Sequence, residues 1–201
     1  MGYGLEMRTE TPLRIVKQSD ITTEPADALI YSINVLLNCS GGVGSTLMAR
    51  YGVHVQTELH ARLTDIGRKF AARGDVFQFV PQGMPYQAVF HTVPCDAWYE
   101  TTPEIIESIL RRCLDACLEI GTVGSVAMSA LATGYGHLAF EEFFRIADRV
   151  LHDTHFDSIE SIMICVDDES RFRDAVRCIQ DEGLALQACD QGPLSNDSLP
   201  L

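Results

Sequence analysis

Lysine is almost missing from these 201 residues, with Lys17 and Lys69 the only two, and basic residues number 15 against 28 acids, a net charge of 15 − 28 = −13. The resulting pI is about 4.7. A phosphate backbone would be repelled by that balance, so nucleic acid is not expected as a partner. A small anion stays possible, because loop amides act locally while distant charge is screened beyond about 10 Å. No apolar run reaches the roughly 18 residues of a membrane helix, so no membrane partner is expected either. The seven cysteines are odd in number and include no Cys-x-x-Cys pair, and no charged, apolar and small signal pattern opens the chain. Reduced thiols in a cytoplasm are the expectation. Cys113 and Cys117 lie one helical turn apart and could share a metal, but they read better as small buried side chains, so no metal site and no cofactor is expected. Internal repeats and low-complexity blocks are absent too, and the length suits one domain with a full core.

The stretch 27–52 organises what is present. Ala28, Leu29 and Ile30 lead through Tyr31 and Ser32 to Asn34, and Cys39, Ser40, Gly41, Gly42, Val43 and Gly44 precede Leu47, Met48 and Ala49. This reads as a buried strand, a glycine turn and a helix start. Such glycines either serve a tight turn or let a ligand approach the main chain, where amides at the helix start hold an anion such as phosphate. No Gly-Lys-Ser/Thr follows and the spacing is not Gly-x-Gly-x-x-Gly, so a P-loop and the dinucleotide fingerprint are both excluded.

In chain order, 1–11 is polar and without period, a flexible leader. Leu13, Arg14, Ile15, Val16 and Lys17 form a first strand ending at Asp20, whose carboxylate either accepts from a ligand amine or caps a turn. Val55, Leu59, Leu63, Ile66 and Phe70 predict a helix closing before Gly74. His54 and His60 share it without sharing a face, which suits surface roles. The segments 75–80 and 88–93 predict an antiparallel hairpin, making the sheet mixed. Thr102 and Pro103 predict a capped helix start, with Gly121 as its stop. A strand over 125–131 runs into a second glycine turn, Thr133, Gly134, Tyr135, Gly136 and His137, and a helix over 140–151. A last strand over 161–166 and helix over 169–182 follow, and 183–201 reads as a tail. This alternation predicts an α/β fold, a three-layer α/β/α sandwich. Both glycine turns then lie at the carboxyl ends of strands, where such folds bind ligands, and their recurrence points to a phosphate or diphosphate site.

From about Leu13 to Ile179 the residues resemble the macrodomain family, of the ADP-ribose-binding Appr-1″-p processing type. Asp20-Ile21-Thr22 looks like the family's Gly-Asp-Ile-Thr entry, with Ser19 in place of Gly, and Asp27-Ala28-Leu29-Ile30 resembles its Asp-Ala-Ile-Val strand. Asn34 matches the second Asn of Asn-Ala-Ala-Asn, Gly41-Gly42-Val43 the first loop, His91-Thr92-Val93-Pro94 the His-x-Val-x-Pro strand end, and Ala132-Thr133-Gly134 the Gly-Thr-Gly of the second loop. The resemblance implies a roughly six-stranded mixed sheet, a macrodomain over 12–182, and a cleft for ADP-ribose or an ADP-ribosylated protein. It gives Asp20 and Ile21 the adenine, Asn34 the distal ribose, and Gly41, Gly42, Val43, Gly44, Ala132, Thr133, Gly134, Tyr135 and Gly136 the enclosure of the diphosphate.

Members that hydrolyse mono-ADP-ribose from proteins commonly carry an acid after Gly-Gly-Val and a His four positions on; here these are Gly44 and Met48, and the first Asn falls on Tyr31. Neither Gly44 nor Met48 can move a proton, and neither lysine matches the lysine and acid pair of other branches. The remaining candidates for chemistry are Asn34, His137 beside the second loop and Cys39 beside the first. Three readings follow: a reader of ADP-ribose with little or no turnover; an ADP-ribosyl hydrolase or O-acetyl-ADP-ribose deacetylase acting through a bound water; and a degenerate interaction module. Oligomeric state is not legible in the pattern.

Overall fold

The valine- and isoleucine-rich segments pair into one sheet in the computed structural model, which describes residues 12–189. The strands are β1 (Leu13–Gln18), β2 (Ala28–Ser32), β3 (Val76–Gln78), β4 (Ala88–Thr92), β5 (Ser125–Ser129), β6 (Ser161–Val166) and β7 (Gln187–Cys189), in the spatial order β3-β4-β2-β5-β6-β1-β7. Only β3 runs antiparallel, to β4, as the hairpin reading expects. Every other pairing is parallel, so the strands are covered on both faces. Alternation along β2 divides the core: Ala28 and Ile30 pack on one side with α3 (Pro103–Ile120), α4 (Phe140–Leu151) and α5 (Glu169–Glu182). Leu29 and Tyr31 pack on the other with α1 (Gly42–Tyr51) and α2 (His54–Asp65). The α/β/α sandwich is therefore present. Cys113 and Cys117 are buried in the first of these cores, and burial pushes the Cys117 thiol up to about 12.

Two polar groups, buried Arg14 and half-buried Asp27, fasten the layers. Arg14, 3% exposed, donates to the carbonyls of Leu151 (2.8 Å), Phe156 (2.9 Å) and Ile159 (2.9 Å), closing the carboxyl end of α4. Asp27 accepts from the Gly124 and Ser125 amides (3.0 and 2.9 Å), the Ser125 hydroxyl (2.8 Å) and Gln87 Nε2 (2.8 Å), joining the start of β2 to that of β5.

Three expectations are corrected. The helix after Gly52 stops at Asp65, because Gly67 takes a left-handed conformation (φ 67°) and the Arg68 amide returns to the Leu63 carbonyl; Ile66 and Phe70 are exposed. Thr102 precedes α3 without bonding its amides, and its hydroxyl serves the Glu104 carboxylate instead. The span 183–201 is not all tail: Leu186 is buried, the Ala185 and Leu186 amides donate to Asp148 Oδ1 (2.8 and 3.0 Å), and β7 adds a seventh strand beside β1. The leader, 1–11, and residues 190–201 lie outside the described residues.

Candidate functional site

The carboxyl ends of β4, β2, β5, β6 and β1 stand side by side, and a cleft of about 620 Å³ runs across them. Four strand spacings make it roughly 19 Å long, room for an extended dinucleotide-sized ligand. At the β1 end, Asp20 Oδ1 accepts from the Thr22 amide (2.9 Å) and hydroxyl (2.8 Å), fixing the one-turn segment Ile21–Thr23. That is the capping role; the other carboxylate oxygen has no protein hydrogen bond among the described residues, so the ligand role stays open beside it. Buried Ile21 forms the adjoining wall.

The first loop is built on Asn34. Its Oδ1 accepts from the Leu36 and Asn38 amides (3.0 and 3.1 Å), and its Nδ2 donates to the Asn38 carbonyl (3.0 Å) and Ser40 Oγ (3.3 Å). Gln56 of α2 adds a second brace, accepting from the Cys39 amide at 2.6 Å and donating to the Leu37 carbonyl at 2.7 Å. From this frame α1 starts at Gly42, where φ is 52°, with no side chain capping it. The amides of Gly42, Val43 and Gly44 are the helix's free first-turn donors, and all three residues line the cleft.

The second loop faces it. Ala132 adopts φ 63°, and the Thr133 hydroxyl bonds the Ala130 carbonyl (2.9 Å). Tyr135 reaches back across the cleft until its ring lies against Gly41, where a Cβ would come within 3.0 Å of the hydroxyl. Arg171, in the first turn of α5, donates through Nη2 to the Thr133 carbonyl (2.8 Å) and hydroxyl (3.0 Å), and stacks on Phe140 at 4.5 Å.

All twelve residues expected to bind ligand line this one cleft. Cys39 and His137 do not. Cys39 is 1% exposed, and burial pushes its thiol up to about 11, which removes the thiolate a nucleophile needs. His137 is turned to the Glu100 carboxylate, 2.8 Å away, on the outer surface. Tyr31 and His91 also stay out of the cleft: the Tyr31 hydroxyl meets His91 Nδ1 at 2.6 Å inside the core, and burial holds the imidazole down to about 3, neutral. Its Nε2 therefore carries the proton and donates to the Phe79 carbonyl (3.2 Å). Gly44 is buried with Cys39 Cα 3.2 Å from where a Cβ would sit, and Met48 packs into the α1 and α2 side of the core. Neither residue carries the titratable group of the hydrolysing pattern, and an acid at 44 would first have to displace Cys39 by a few tenths of an ångström.

Sequence reading missed Arg171, Phe140 and the β4 end at Cys95, Asp96 and Tyr99, which also line the cleft. One signal for Arg171 was available: a cation in the first turn of a helix opposes the macrodipole and needs another reason to be there. Asp96 is held in its own loop, accepting from the Trp98 and Glu100 amides (2.9 and 3.0 Å) and facing Arg73.

A parallel-centred α/β sandwich with paired glycine loops at its carboxyl edge is the class these features define. The Macro domain family model matches residues 31–147, over half of the chain, and the chain belongs to that family. It is 27% identical to an uncharacterized protein of Saccharolobus solfataricus over 164 residues, 82% of this chain and 86% of the relative. Among solved structures it resembles an Oceanobacillus iheyensis macrodomain mutant with ADPR, at a TM-score of 0.71 and 16% identity over 83% of this chain and 91% of that one. The Trypanosoma brucei macrodomain in complex with ADP-ribose is similar at a TM-score of 0.66 and 19% identity, over 82% and 68% of the two chains.

Proposed function

We propose that the cleft binds ADP-ribose, free or as a protein-linked ADP-ribosyl group, and that the chain is a reader with little or no turnover. The observation that carries this is the pair of glycine loops facing each other across one cleft, with free helix amides on one side. The diphosphate lies between them. The adenine amino group meets the unbonded oxygen of Asp20 against Ile21, and the distal ribose lies over Asn34, its hydroxyls exchanging for the long bond to Ser40. The Saccharolobus relative adds no ligand, but the macrodomains solved with ADPR and ADP-ribose support this choice.

The absence of turnover rests on the groups around the first loop. Gly44 carries no side chain and lies tight against Cys39, Met48 packs against the core, and Asp96 is engaged within its own loop. General acid-base catalysis needs a titratable group in reach of the scissile bond. Seven free thiols fit a reducing compartment. Titration calorimetry with ADP-ribose, ADP and AMP, run beside an assay for ADP-ribose release from a modified protein, tests both halves. Micromolar ADP-ribose binding without release is the expected result. No binding by any of the three overturns the ligand; release overturns the reader and makes Asp96 the first group to substitute.

A further inference from the structure

Three carboxylates line the cleft, those of Asp20, Asp96 and Asp167, and Arg171 is the one Lys or Arg among the described lining residues. Among the described residues only Asp96 of these three has a basic partner, Arg73. In a chain of charge −13, a ligand with two phosphates would therefore meet a cleft whose formal charge is unfavourable unless Arg171 supplies the offset. Its surroundings leave it available to do so. No carboxylate lies within salt-bridge distance of Arg171 among the described residues, where most of the other arginines have one. The two hydrogen bonds of its guanidinium both leave from Nη2, so Nε–H and the Nη1 donors have no protein acceptor among the described residues.

The direction of those free donors is constrained twice. The bonds to Thr133 hold the guanidinium against the second glycine loop, and its carbon sits over the Phe140 ring at 4.5 Å. Strand order then places Arg171 between the β5 loop and the β1 turn carrying Asp20, beside the space that the two loops enclose. We infer that Arg171 is the phosphate receptor of this cleft, giving a formal positive charge and charged N–H donors to loops that otherwise offer only neutral amides, and so selecting phosphorylated ligands over the bare nucleoside. This rests on the nucleotide reading above. Its bonds to Thr133 also make it a positioning residue for the second loop, and the two roles separate experimentally.

The test is calorimetry on wild type, Arg171→Lys and Arg171→Met with ADP-ribose, ADP, adenosine and inorganic pyrophosphate, each at low and high salt, with melting temperatures recorded. Hydrogen bonds to charged groups imply a loss of about tenfold to hundredfold for ADP-ribose, ADP and pyrophosphate in the Met variant. Adenosine should change by less than about twofold, the Lys variant should recover part of the loss, and the salt dependence should flatten in the Met variant. Equal losses for adenosine and ADP-ribose would mean that Arg171 only braces the loop, and unchanged pyrophosphate affinity would overturn the receptor role outright. Arg171-dependent pyrophosphate binding without ADP-ribose binding would keep this inference and remove the nucleotide reading, whereas a wild type that binds neither overturns both.

Discussion

At the scale of single residues, the second loop is specified by Gly136 more than by its neighbour Gly134. A methyl group on Gly136 would run into the Ala132 carbonyl oxygen and come within 2.7 Å of Cys95 Sγ, while one on Gly134 meets nothing within 4 Å. Gly136→Ala must therefore move the loop, and should cost about 1–3 kcal/mol of stability and weaken ADP-ribose binding at least tenfold. Gly134→Ala should leave the denaturant midpoint within the scatter of a neutral surface change, about 0.5 kcal/mol. Equal behaviour of the two variants would show that the loop tolerates displacement. Both glycines were legible as a turn, but the difference between them was not, because it depends on how the turn folds Gly136 back onto the Ala132 carbonyl and against Cys95, which is distant in the chain. The same holds for Asn34. Its match to the second Asn of the Asn-Ala-Ala-Asn pattern marked it as a site residue, yet nothing local to it announced an amide already engaged by four bonds.

At the scale of elements, Asp27 stands at the amino ends of β2 and β5, across the sheet from the cleft. Its carboxylate gathers four hydrogen bonds. Burial alone would raise its pKa, but the bonds from Ser125, Gly124 and Gln87 outweigh that and lower it. Asp27→Ala should lower unfolding free energy by about 2–3 kcal/mol, since it strips the Gly124 and Ser125 donors of a charged acceptor. ADP-ribose affinity should hold within about twofold; a large affinity loss with an unmoved melting temperature would contradict this division between frame and site. Most elements were readable because their causes are local: short continuous apolar runs for the central strands, left-handed glycines at 121 and 183 for the ends of α3 and α5. β7 was not, because three mostly exposed residues at a sheet edge make no apolar run. Its register is set instead by Asp148 holding the amides before it.

For the whole molecule, the buried Tyr31 and His91 pair predicts how stability responds to acid. The imidazole has a pKa of about 3 in the folded chain against an ordinary 6.5, so between those values the unfolded chain binds a proton that the native one does not. Stability is thus fully present above pH 6.5 and falls by about 1.4 kcal/mol per pH unit below it. The depressed Asp27 acts in the same direction at lower pH, being lost as pH falls through its folded pKa. Urea unfolding at pH 7.0, 5.5 and 4.5 should show a cumulative loss of about 2–3 kcal/mol from His91 alone. A Tyr31→Phe and His91→Leu double variant should flatten that slope, and an unchanged slope would place the acid sensitivity elsewhere.

The four-bonded amide of Asn34 has a kinetic meaning as well. A loop tied at both ends and in its middle arrives at the encounter already folded, so little chain has to be ordered when ligand enters. Arrival is then governed by diffusion and by the field at the cleft mouth. Differences among ligands will be expressed in how long each one stays.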